Sequence, residues 1–326
     1  MADRGAKMGV EMQEALCEAL RRLPGDTKVT INAPMSRYTT LRLGGPADIL
    51  CDVGSTESLG QALALAGENQ TPVTLLGGGS NLLVRDGGIR GLVIRVGGGM
   101  SRVLPPVPLA DGRVALAAEA GATLARLSGA AAACGLAGLE FAAGIPGTVG
   151  GAVFMNAGAF GGEMKDVVTT VTGFTMLGRP VCWSGEEMAF GYRESCLSRG
   201  GEAAVATVTV ALPRDNAEAI RTAMRDFSAR RREKQPLSQP SCGSTFKRPQ
   251  GYFAGALIEQ CGLKGIRIGG ASVSQLHAGF LLNDGEGSAA DYLALIAHVQ
   301  QVVMERTGVW LEPEVRVLGE DAPAMQ

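Results

Sequence analysis

Apolar and polar positions follow two different periods along this chain, and together they predict a mixture of helices and short strands. Apolar residues at helical spacing predict helices at Glu11–Leu23, Ser55–Asn69, Thr123–Cys134, Ala217–Lys234, Phe253–Cys261 and Ala289–Gly308. Alternating or short apolar runs predict strands at Val29–Asn32, Ala47–Val53, Val73–Leu76, Leu82–Val84, Leu92–Val96, Val114–Glu119, Val167–Met176, Val205–Leu212 and Glu314–Leu318, with short strands near Ile266 and Phe280. Because these elements do not alternate as regular βαβ units, the predicted fold class is α+β.

A turn signal marks one boundary in this pattern. The polar stretch Pro213–Asn216 separates the strand-rich middle of the chain from the long helix that begins at Ala217. We therefore expect a domain to begin at residue 214. The 326 residues are enough for two or three domains of ordinary size.

Composition narrows the classes of function. The formal net charge of −2 argues against a general nucleic-acid binder, which normally carries a basic surface. The chain has two histidines, and its seven cysteines include no CxxC pair, so we expect no metal site and no disulfide framework. Scattered thiols are typical of a reducing cytoplasm. Glycine is the outlier at 47 residues, which predicts many turns with positive φ and close backbone approaches.

One segment, at residues 141–162, is long enough to cross a membrane and carries no charge. Its many glycines and Pro146 argue against a membrane span, because such a backbone leaves amide groups unpaired in lipid. The charged, amphipathic first residues do not resemble a signal peptide. We therefore expect a cytoplasmic protein with no membrane partner.

A first candidate binding loop follows the predicted strand Val73–Leu76, and it consists of Gly77, Gly78, Gly79, Ser80 and Asn81. Successive glycines let neighbouring backbone N–H groups turn toward one anion, and Ser80 and Asn81 add side-chain donors. The loop lacks the Gly-Lys-Ser/Thr of a P-loop and the glycine spacing of a Rossmann fold. From the residues alone, a pyrophosphate site and a tight hairpin remain equally good interpretations.

A second glycine-rich segment consists of Gly144, Ile145, Pro146, Gly147 and Thr148 and continues to Gly151, with Asn156–Gly162 beyond it. It offers amide donors but no acid, base or nucleophile, so its function, if it has one, is binding. The alternative interpretation is a packed, glycine-rich turn.

Three further motifs carry side chains with catalytic chemistry. Arg193 follows an aromatic residue. The guanidinium of arginine is planar and always charged, so it can bind a carboxylate or a phosphate. The alternative interpretation is a salt bridge with its neighbour Glu194. Ser244 follows Gly243, but the segment does not match the Gly-x-Ser-x-Gly motif of a nucleophile elbow. Cys242 is a weaker candidate nucleophile, because no residue nearby in sequence would lower the pKa of its thiol. Glu314 begins the last predicted strand and would ordinarily be a surface carboxylate.

In combination, these motifs resemble the UDP-N-acetylenolpyruvoylglucosamine reductase family, over nearly the whole chain from Asn32 to Gly319. The resemblance is carried by Gly77-Gly78-Gly79-Ser80-Asn81, Gly144-Ile145-Pro146-Gly147, Asn156-Ala157-Gly158-Ala159, Tyr192-Arg193, Pro240-Ser241-Cys242-Gly243-Ser244-Thr245-Phe246 and Glu314-Val315-Arg316. It implies a two-lobed FAD-binding domain of the vanillyl-alcohol-oxidase type, in parts 1–70 and 71–213, and a C-terminal α+β substrate domain in 214–326. The short connection after Arg193 resembles the subtype without an inserted substrate-covering loop.

The resemblance also implies a reaction and its participants. It implies non-covalent FAD, NADPH as reductant, and a UDP-sugar enolpyruvyl ether as substrate in peptidoglycan precursor synthesis. By resemblance, residues 77–81 hold the FAD pyrophosphate, residues 144–148 line the flavin, and Arg193, Ser244 and Glu314 are the catalytic residues. Two alternatives stay open: an oxidase of the wider flavin superfamily that uses O₂, and a non-catalytic flavin-binding protein.

Overall fold

A computed structural model describes residues 13–322, and their contacts divide into two compact units. Of the described residues, unit 1 contains 13–31, 49–78 and 91–228. Unit 2 contains 32–48, 79–90 and 229–322. Each unit is therefore discontinuous in sequence. The expected division into 1–70, 71–213 and 214–326 stays a prediction.

The elements follow each other in a mixed order of helices and strands. The helices are α1 (residues 13–21), α2 (Thr56–Glu68), α3 (Leu124–Ala133), α4 (Val149–Phe154), α5 (Ala217–Lys234), α6 (Ala254–Gln260) and α7 (Ala289–Thr307). The strands are β1 (Lys28–Pro34), β2 (Pro46–Val53), β3 (Val73–Leu76), β4 (Leu82–Val84), β5 (Ile89–Val96), β6 (Val107–Pro108), β7 (Val114–Glu119), β8 (Gly158–Ala159), β9 (Gly162–Glu163), β10 (Val168–Thr175), β11 (Pro180–Ser184), β12 (Ala203–Leu212), β13 (Ser241–Ser244), β14 (Arg267–Ile268), β15 (Ala271–Val273), β16 (Phe280–Asn283) and β17 (Arg316–Leu318).

Among residues 13–322, the strands form three larger sheets and two small ones. A four-stranded sheet has the order β1-β2-β5-β3, with β3 parallel to β5. Within unit 1, an antiparallel sheet has the order β11-β10-β12-β7-β6, and β8 pairs with β9. Within unit 2, an antiparallel sheet has the order β13-β16-β15-β14, and β17 lies parallel to β4. The mixture agrees with the predicted α+β class.

Each unit has its own apolar core. In unit 1 the core consists of small and medium-sized apolar side chains from α2, α3 and the strands β10, β12 and β7. In unit 2 the core is formed by α6, α7 and the sheet that contains β13. Tyr292 of α7 is its largest fully buried side chain. Burial of these apolar faces, at about 25 cal/mol per Å², is the main favourable contribution to folding.

Local signals set the ends of the longer helices. Ser55 and Ser58 form a reciprocal capping box at the start of α2, which lies where the sequence predicted a helix from Ser55 to Asn69. Helix α7 begins at a second capping box, between Ser288 and Asp291, and ends at Gly308, whose φ of 70° is left-handed. These signals depend only on residues close in sequence, so their positions agree closely with the predictions.

Two predictions about local structure need correction. The segment after Thr148 was expected to be an irregular glycine-rich stretch, but it forms α4, whose Val149, Ala152 and Val153 are buried in the core of unit 1. The last strand was expected to begin at Glu314 but begins at Arg316, because the Glu314 N–H donates to the Thr245 carbonyl, at 2.8 Å. The first part of the predicted helix Glu11–Leu23, at residues 11 and 12, lies outside the described residues.

Candidate active site

The first glycine loop connects two strands that do not pair with each other. Strand β3 pairs with β5, and β4, which follows the loop, pairs with β17. The hairpin interpretation of residues 77–81 is therefore wrong. A hairpin turn therefore does not explain the three consecutive glycines.

Within unit 1, the start of this loop lies against the second glycine-rich segment. A Cβ on Gly77 would lie 2.6 Å from the Thr148 hydroxyl oxygen, and a Cβ on Gly78 would lie 3.0 Å from the Gly147 Cα. The first distance is shorter than real Cβ contacts, and the second is tighter than nine in ten of them, so glycine favours this close approach of the two segments. The structure therefore brings together two motifs separated by about seventy residues of sequence.

The second segment is held in place by its own backbone hydrogen bonds. Gly144 and Gly147 have φ values of 78° and 123°, which favour glycine. The Ile145 N–H donates to the Ala142 carbonyl at 3.1 Å. Thr148 caps α4, and its hydroxyl accepts from the Gly151 N–H at 3.4 Å. These bonds give the Gly144–Thr148 backbone a defined shape rather than that of a loose loop.

Within unit 2, the end of the first loop reaches the neighbourhood of Glu314. Gly79 has a φ of 63°, and a Cβ there would lie 2.0 Å from the Tyr38 carbonyl oxygen. The Asn81 side-chain amide donates to the Glu314 carbonyl at 3.1 Å, and the Asn81 carbonyl accepts from the Arg316 N–H at 3.1 Å. Asn81 thus holds the segment that carries Glu314.

Arg193 lies in unit 1 on a tight turn after β11. Its φ of 58° is left-handed, which is uncommon for a residue with a long side chain. Its guanidinium donates to the Gly158 carbonyl at 3.1 Å, and the Tyr192 ring lies 5.3 Å from its Cζ. Glu194, the neighbour considered as its partner, forms a salt bridge to Arg199 at 2.7 Å.

Asn156 holds this turn, and sequence analysis gave it no role. Its side chain is fully buried and donates to the Gly191 carbonyl at 2.9 Å and to the Glu163 carboxylate at 2.8 Å. Its amide oxygen accepts from the Lys165 N–H at 2.9 Å. One side chain therefore connects the turn of Arg193 to the β8–β9 hairpin. The φ of Asn156 is 43°, a left-handed value that asparagine tolerates better than most residues.

We expect Asn156→Asp to weaken both folding and the presentation of Arg193. The substitution keeps the shape and the acceptor for Lys165 but removes the donor to Gly191 and places two carboxylates together. Leaving one buried acceptor unpaired costs about 1–3 kcal/mol, so the free energy of unfolding in urea should fall by at least this amount. The matched control is Asn216→Asp, because Asn216 uses only its oxygen, as acceptor for Glu218 and Ala219 N–H groups. Equal stability of the two variants would contradict the role of Asn156.

Ser244 and Glu314 lie in unit 2 and are connected through Thr245. Ser244 is exposed at the end of β13 and follows Gly243, whose φ is 79°. The Thr245 carbonyl accepts from the Glu314 N–H at 2.8 Å, and an isolated bridge joins Phe246 to Pro313. The structure therefore brings these two predicted residues to neighbouring backbone positions. Arg193 belongs to the other unit.

Cys242 does not have the properties of a nucleophile. It is buried, and burial raises the pKa of its thiol to about 11, although hydrogen bonding with neighbouring hydroxyls acts in the opposite direction. Because the thiolate is the reactive form, a thiol with such a pKa is inert near neutral pH. The alternative of a Cys242 nucleophile is therefore disfavoured.

Comparison with known proteins identifies the family. The FAD binding domain family matches residues 47–181, and the C-terminal domain of UDP-N-acetylenolpyruvoylglucosamine reductase matches residues 235–318. The reductase of Caldanaerobacter subterraneus is 44% identical over 309 residues, which cover 95% of this chain and 100% of that relative. The chain belongs to the UDP-N-acetylenolpyruvoylglucosamine reductase family. The reductase of Lactiplantibacillus plantarum is 47% identical over 290 residues, covering 89% of this chain and 93% of its own.

A solved reductase has the same fold. The crystal structure of the Thermus caldophilus UDP-N-acetylenolpyruvylglucosamine reductase superposes with a TM-score of 0.74 and 36% identity, covering 90% of this chain and 99% of its own. The predicted fold class, an α+β chain with a vanillyl-alcohol-oxidase-type FAD-binding domain and a C-terminal α+β domain, is confirmed. The chain is therefore an oxidoreductase of this reductase family, with FAD as its cofactor.

The residues of the two glycine segments fit a flavin dinucleotide. Residues 77–81 and 144–148 contain no carboxylate, and glycines at the closest approaches leave backbone N–H groups as the available donors. Such donors suit the negative charge of a diphosphate.

Among helices of the described residues, none combines the length and apolar character that a bilayer span requires.

Proposed function

We propose that this chain reduces UDP-N-acetylglucosamine enolpyruvate to UDP-N-acetylmuramate, with NADPH as reductant and non-covalent FAD. The observation that supports this most is its full-length similarity to named reductases, in a chain that carries Arg193, Ser244 and Glu314 at the three motif positions. The free thiols of the described residues support a cytoplasmic location. The partner is a small UDP-sugar.

The FAD would be held by backbone groups. We assign its pyrophosphate to Gly77, Gly78, Gly79, Ser80 and Asn81, and its flavin ring to Gly144, Ile145, Pro146, Gly147 and Thr148. The close approach of Gly77 and Gly78 to Gly147 and Thr148 supports both assignments, because it joins the two segments in one backbone surface. When bound, FAD supplies the hydride for the enolpyruvyl group after its own reduction by NADPH.

Arg193 and Glu314 would bind the carboxylate of the substrate. As hydride reaches the terminal carbon of the enolpyruvyl group, negative charge moves to the α-carbon and into this carboxylate. A guanidinium is always charged and forms paired hydrogen bonds with a carboxylate, so Arg193 stabilises that charge. Glu314 would share a proton with the carboxylate, since two like charges at hydrogen-bonding distance repel each other.

Ser244 would donate the proton that completes the reaction. A serine hydroxyl is a weak acid in water, but the enolate formed by hydride addition is a strong base. Proton transfer then depends on close and accurate placement of the hydroxyl at the α-carbon. The exposed position of Ser244, after Gly243 in a left-handed conformation, supports this role.

An anaerobic absorbance experiment tests the proposed function. The purified protein should be yellow, lose its flavin colour when NADPH is added, and regain it when the enolpyruvyl substrate follows. If O₂ restores the flavin colour and the enolpyruvyl substrate does not, the protein is an oxidase instead. A flavin that NADPH does not bleach would indicate a non-catalytic flavin-binding protein. The same titration with NADH measures the preference for the reductant.

A further inference from the structure

A fully buried tyrosine hydroxyl in unit 2 contacts residues on both sides of Ser244. The Tyr292 hydroxyl, from α7, lies 3.1 Å from the Cys242 thiol and 3.2 Å from the Thr245 hydroxyl. It also donates to the Leu281 carbonyl at 3.2 Å. Tyr292 and Thr245 are both 0% exposed. The neighbourhood of Ser244 is therefore attached to a helix almost fifty residues away in sequence.

The hydrogen bonds form a closed cycle with one consistent direction. The Leu281 N–H donates to the Thr245 hydroxyl oxygen at 3.3 Å, and Tyr292 donates to the Leu281 carbonyl. Since the tyrosine proton is used there, Thr245 donates to Tyr292, whose oxygen also accepts from Cys242. Burial raises the pKa of both Tyr292 and Cys242, so all members stay neutral and keep these protons near neutral pH. Both polar groups of the Leu281 backbone are satisfied.

The two side chains of the cycle near Ser244 lie in an irregular part of the chain at β13. The register between β13 and β16 shifts between Ser241 and Ser244, so the strict alternation of an extended strand is broken there. Cys242 and Thr245, three positions apart, are both buried, while Ser244 between them is exposed. In a strand with this irregularity, the exposed position of Ser244 depends on Cys242 and Thr245 being held in the core.

Thr245 connects this cycle to Glu314 as well. Its N–H donates to the Gly279 carbonyl at 2.9 Å, and its carbonyl accepts from the Glu314 N–H at 2.8 Å. The polar groups of Thr245 therefore bond to the neighbouring strand, to Tyr292 and to the backbone of Glu314. A shift of Thr245 would move Ser244 and Glu314 together.

We propose that Thr245 and Tyr292 are positioning residues, whose buried hydroxyls hold Ser244 and Glu314 in place for proton transfer to the substrate. This inference rests on the proposed function, because it presumes that Ser244 delivers the proton. Neither side chain is proposed to touch the substrate. Their effect is on the placement of the donor, and displacement by about 1 Å is enough to cost about 100-fold in rate.

The test separates the two half-reactions in Thr245→Val, which keeps the shape of the side chain and removes its hydroxyl. We expect flavin reduction by NADPH to stay unchanged and reoxidation by the enolpyruvyl substrate to slow by about 10- to 100-fold. The solvent deuterium isotope effect on reoxidation should rise, because proton transfer becomes more rate-limiting. Tyr292→Phe should act in the same direction, and Thr245→Ser, which restores the hydroxyl, should recover most of the rate.

A structural readout accompanies the kinetics. Hydrogen exchange should accelerate in the peptides around Ser244 and Glu314 in Thr245→Val, and should return to normal in Thr245→Ser. The matched control is Ser128→Ala, which removes a buried hydroxyl that donates to the Ala125 carbonyl of α3. It should leave reoxidation, the isotope effect and exchange in these peptides unchanged.

The outcomes distinguish this inference from the proposed function. If Ser244→Ala slows reoxidation but Thr245→Val and Tyr292→Phe do not, the positioning role is wrong and the proposed function stands. If Ser244→Ala itself leaves reoxidation unchanged, the proposed role of Ser244 fails first. Equal slowing of both half-reactions in Thr245→Val, without rescue by serine, would also reject the positioning role, since it indicates general loss of folded protein.

Discussion

Replacing Ser244 with alanine should slow reoxidation of the flavin by the enolpyruvyl substrate by about 100- to 10,000-fold, the usual contribution of a positioned general acid. The expected loss is large because water is the only remaining proton source and is not held at the α-carbon. Reduction by NADPH should be unaffected, since that step transfers hydride without this proton. Stopped-flow absorbance of the flavin, with each half-reaction started separately, measures both rates.

One control makes this expectation specific to Ser244. Ser241→Ala removes another serine of β13, whose backbone carbonyl, rather than its hydroxyl, accepts from Thr40. Its two half-reactions should remain close to those of the unchanged protein. Equal losses in both half-reactions of Ser244→Ala would instead assign a structural role to the hydroxyl.

Replacing Gly78 with valine should weaken the binding of FAD. A side chain there meets the backbone of Gly147 and Thr148, with the first carbon already 3.0 Å from the Gly147 Cα, and backbone atoms have little room to move. Overpacking of this kind costs about 1–3 kcal/mol. If that cost falls on the bound state, the Kd for FAD rises by about 5- to 150-fold. Titration of the apoprotein with FAD, followed by flavin fluorescence, measures the change.

A second glycine provides the matched control. Gly98 also lies in unit 1, and a Cβ built there meets nothing within 4 Å. Gly98→Val should therefore retain the original affinity for FAD. Thermal unfolding of both apoproteins checks that the change at Gly78 acts on the cofactor site rather than on folding. The proposed contacts would be rejected if Gly78→Val, correctly folded, bound FAD as tightly as Gly98→Val.

The part of the site that sequence analysis missed consists of uncharged side chains whose partners are distant in sequence. Asn156 and Gly191 are 35 residues apart, and Thr245 and Tyr292 are 47 apart. No periodicity or spacing pairs such residues, because a helix or strand pattern records only whether a position faces the core. Tyr292, read along α7, is one more apolar position of an amphipathic helix. Its hydroxyl acquires a function only when packing places Cys242 and Thr245 beside it.

Helix α4 shows the same limit for secondary structure. Two glycines in six residues give it poor intrinsic helix propensity, so the local pattern predicts an irregular segment. The helix forms because Thr148 caps it and because its apolar residues are buried in unit 1. Tertiary packing commonly overrides propensity in a helix this short.

By itself, the sequence determined what depends on near neighbours: the α+β class, the strand Val114–Glu119, the helices that begin near Ser55 and Ala289, and the positions of the glycine-rich segments. Steric restriction of φ and ψ and side-chain capping act over a few residues, so these features can be recognised in the printed chain. Only the tertiary structure decided that Gly78 faces Gly147, that Asn156 holds the turn of Arg193, and that Thr245 joins Ser244 to Glu314. Those contacts arise from the packing of elements far apart in sequence, which no local rule specifies.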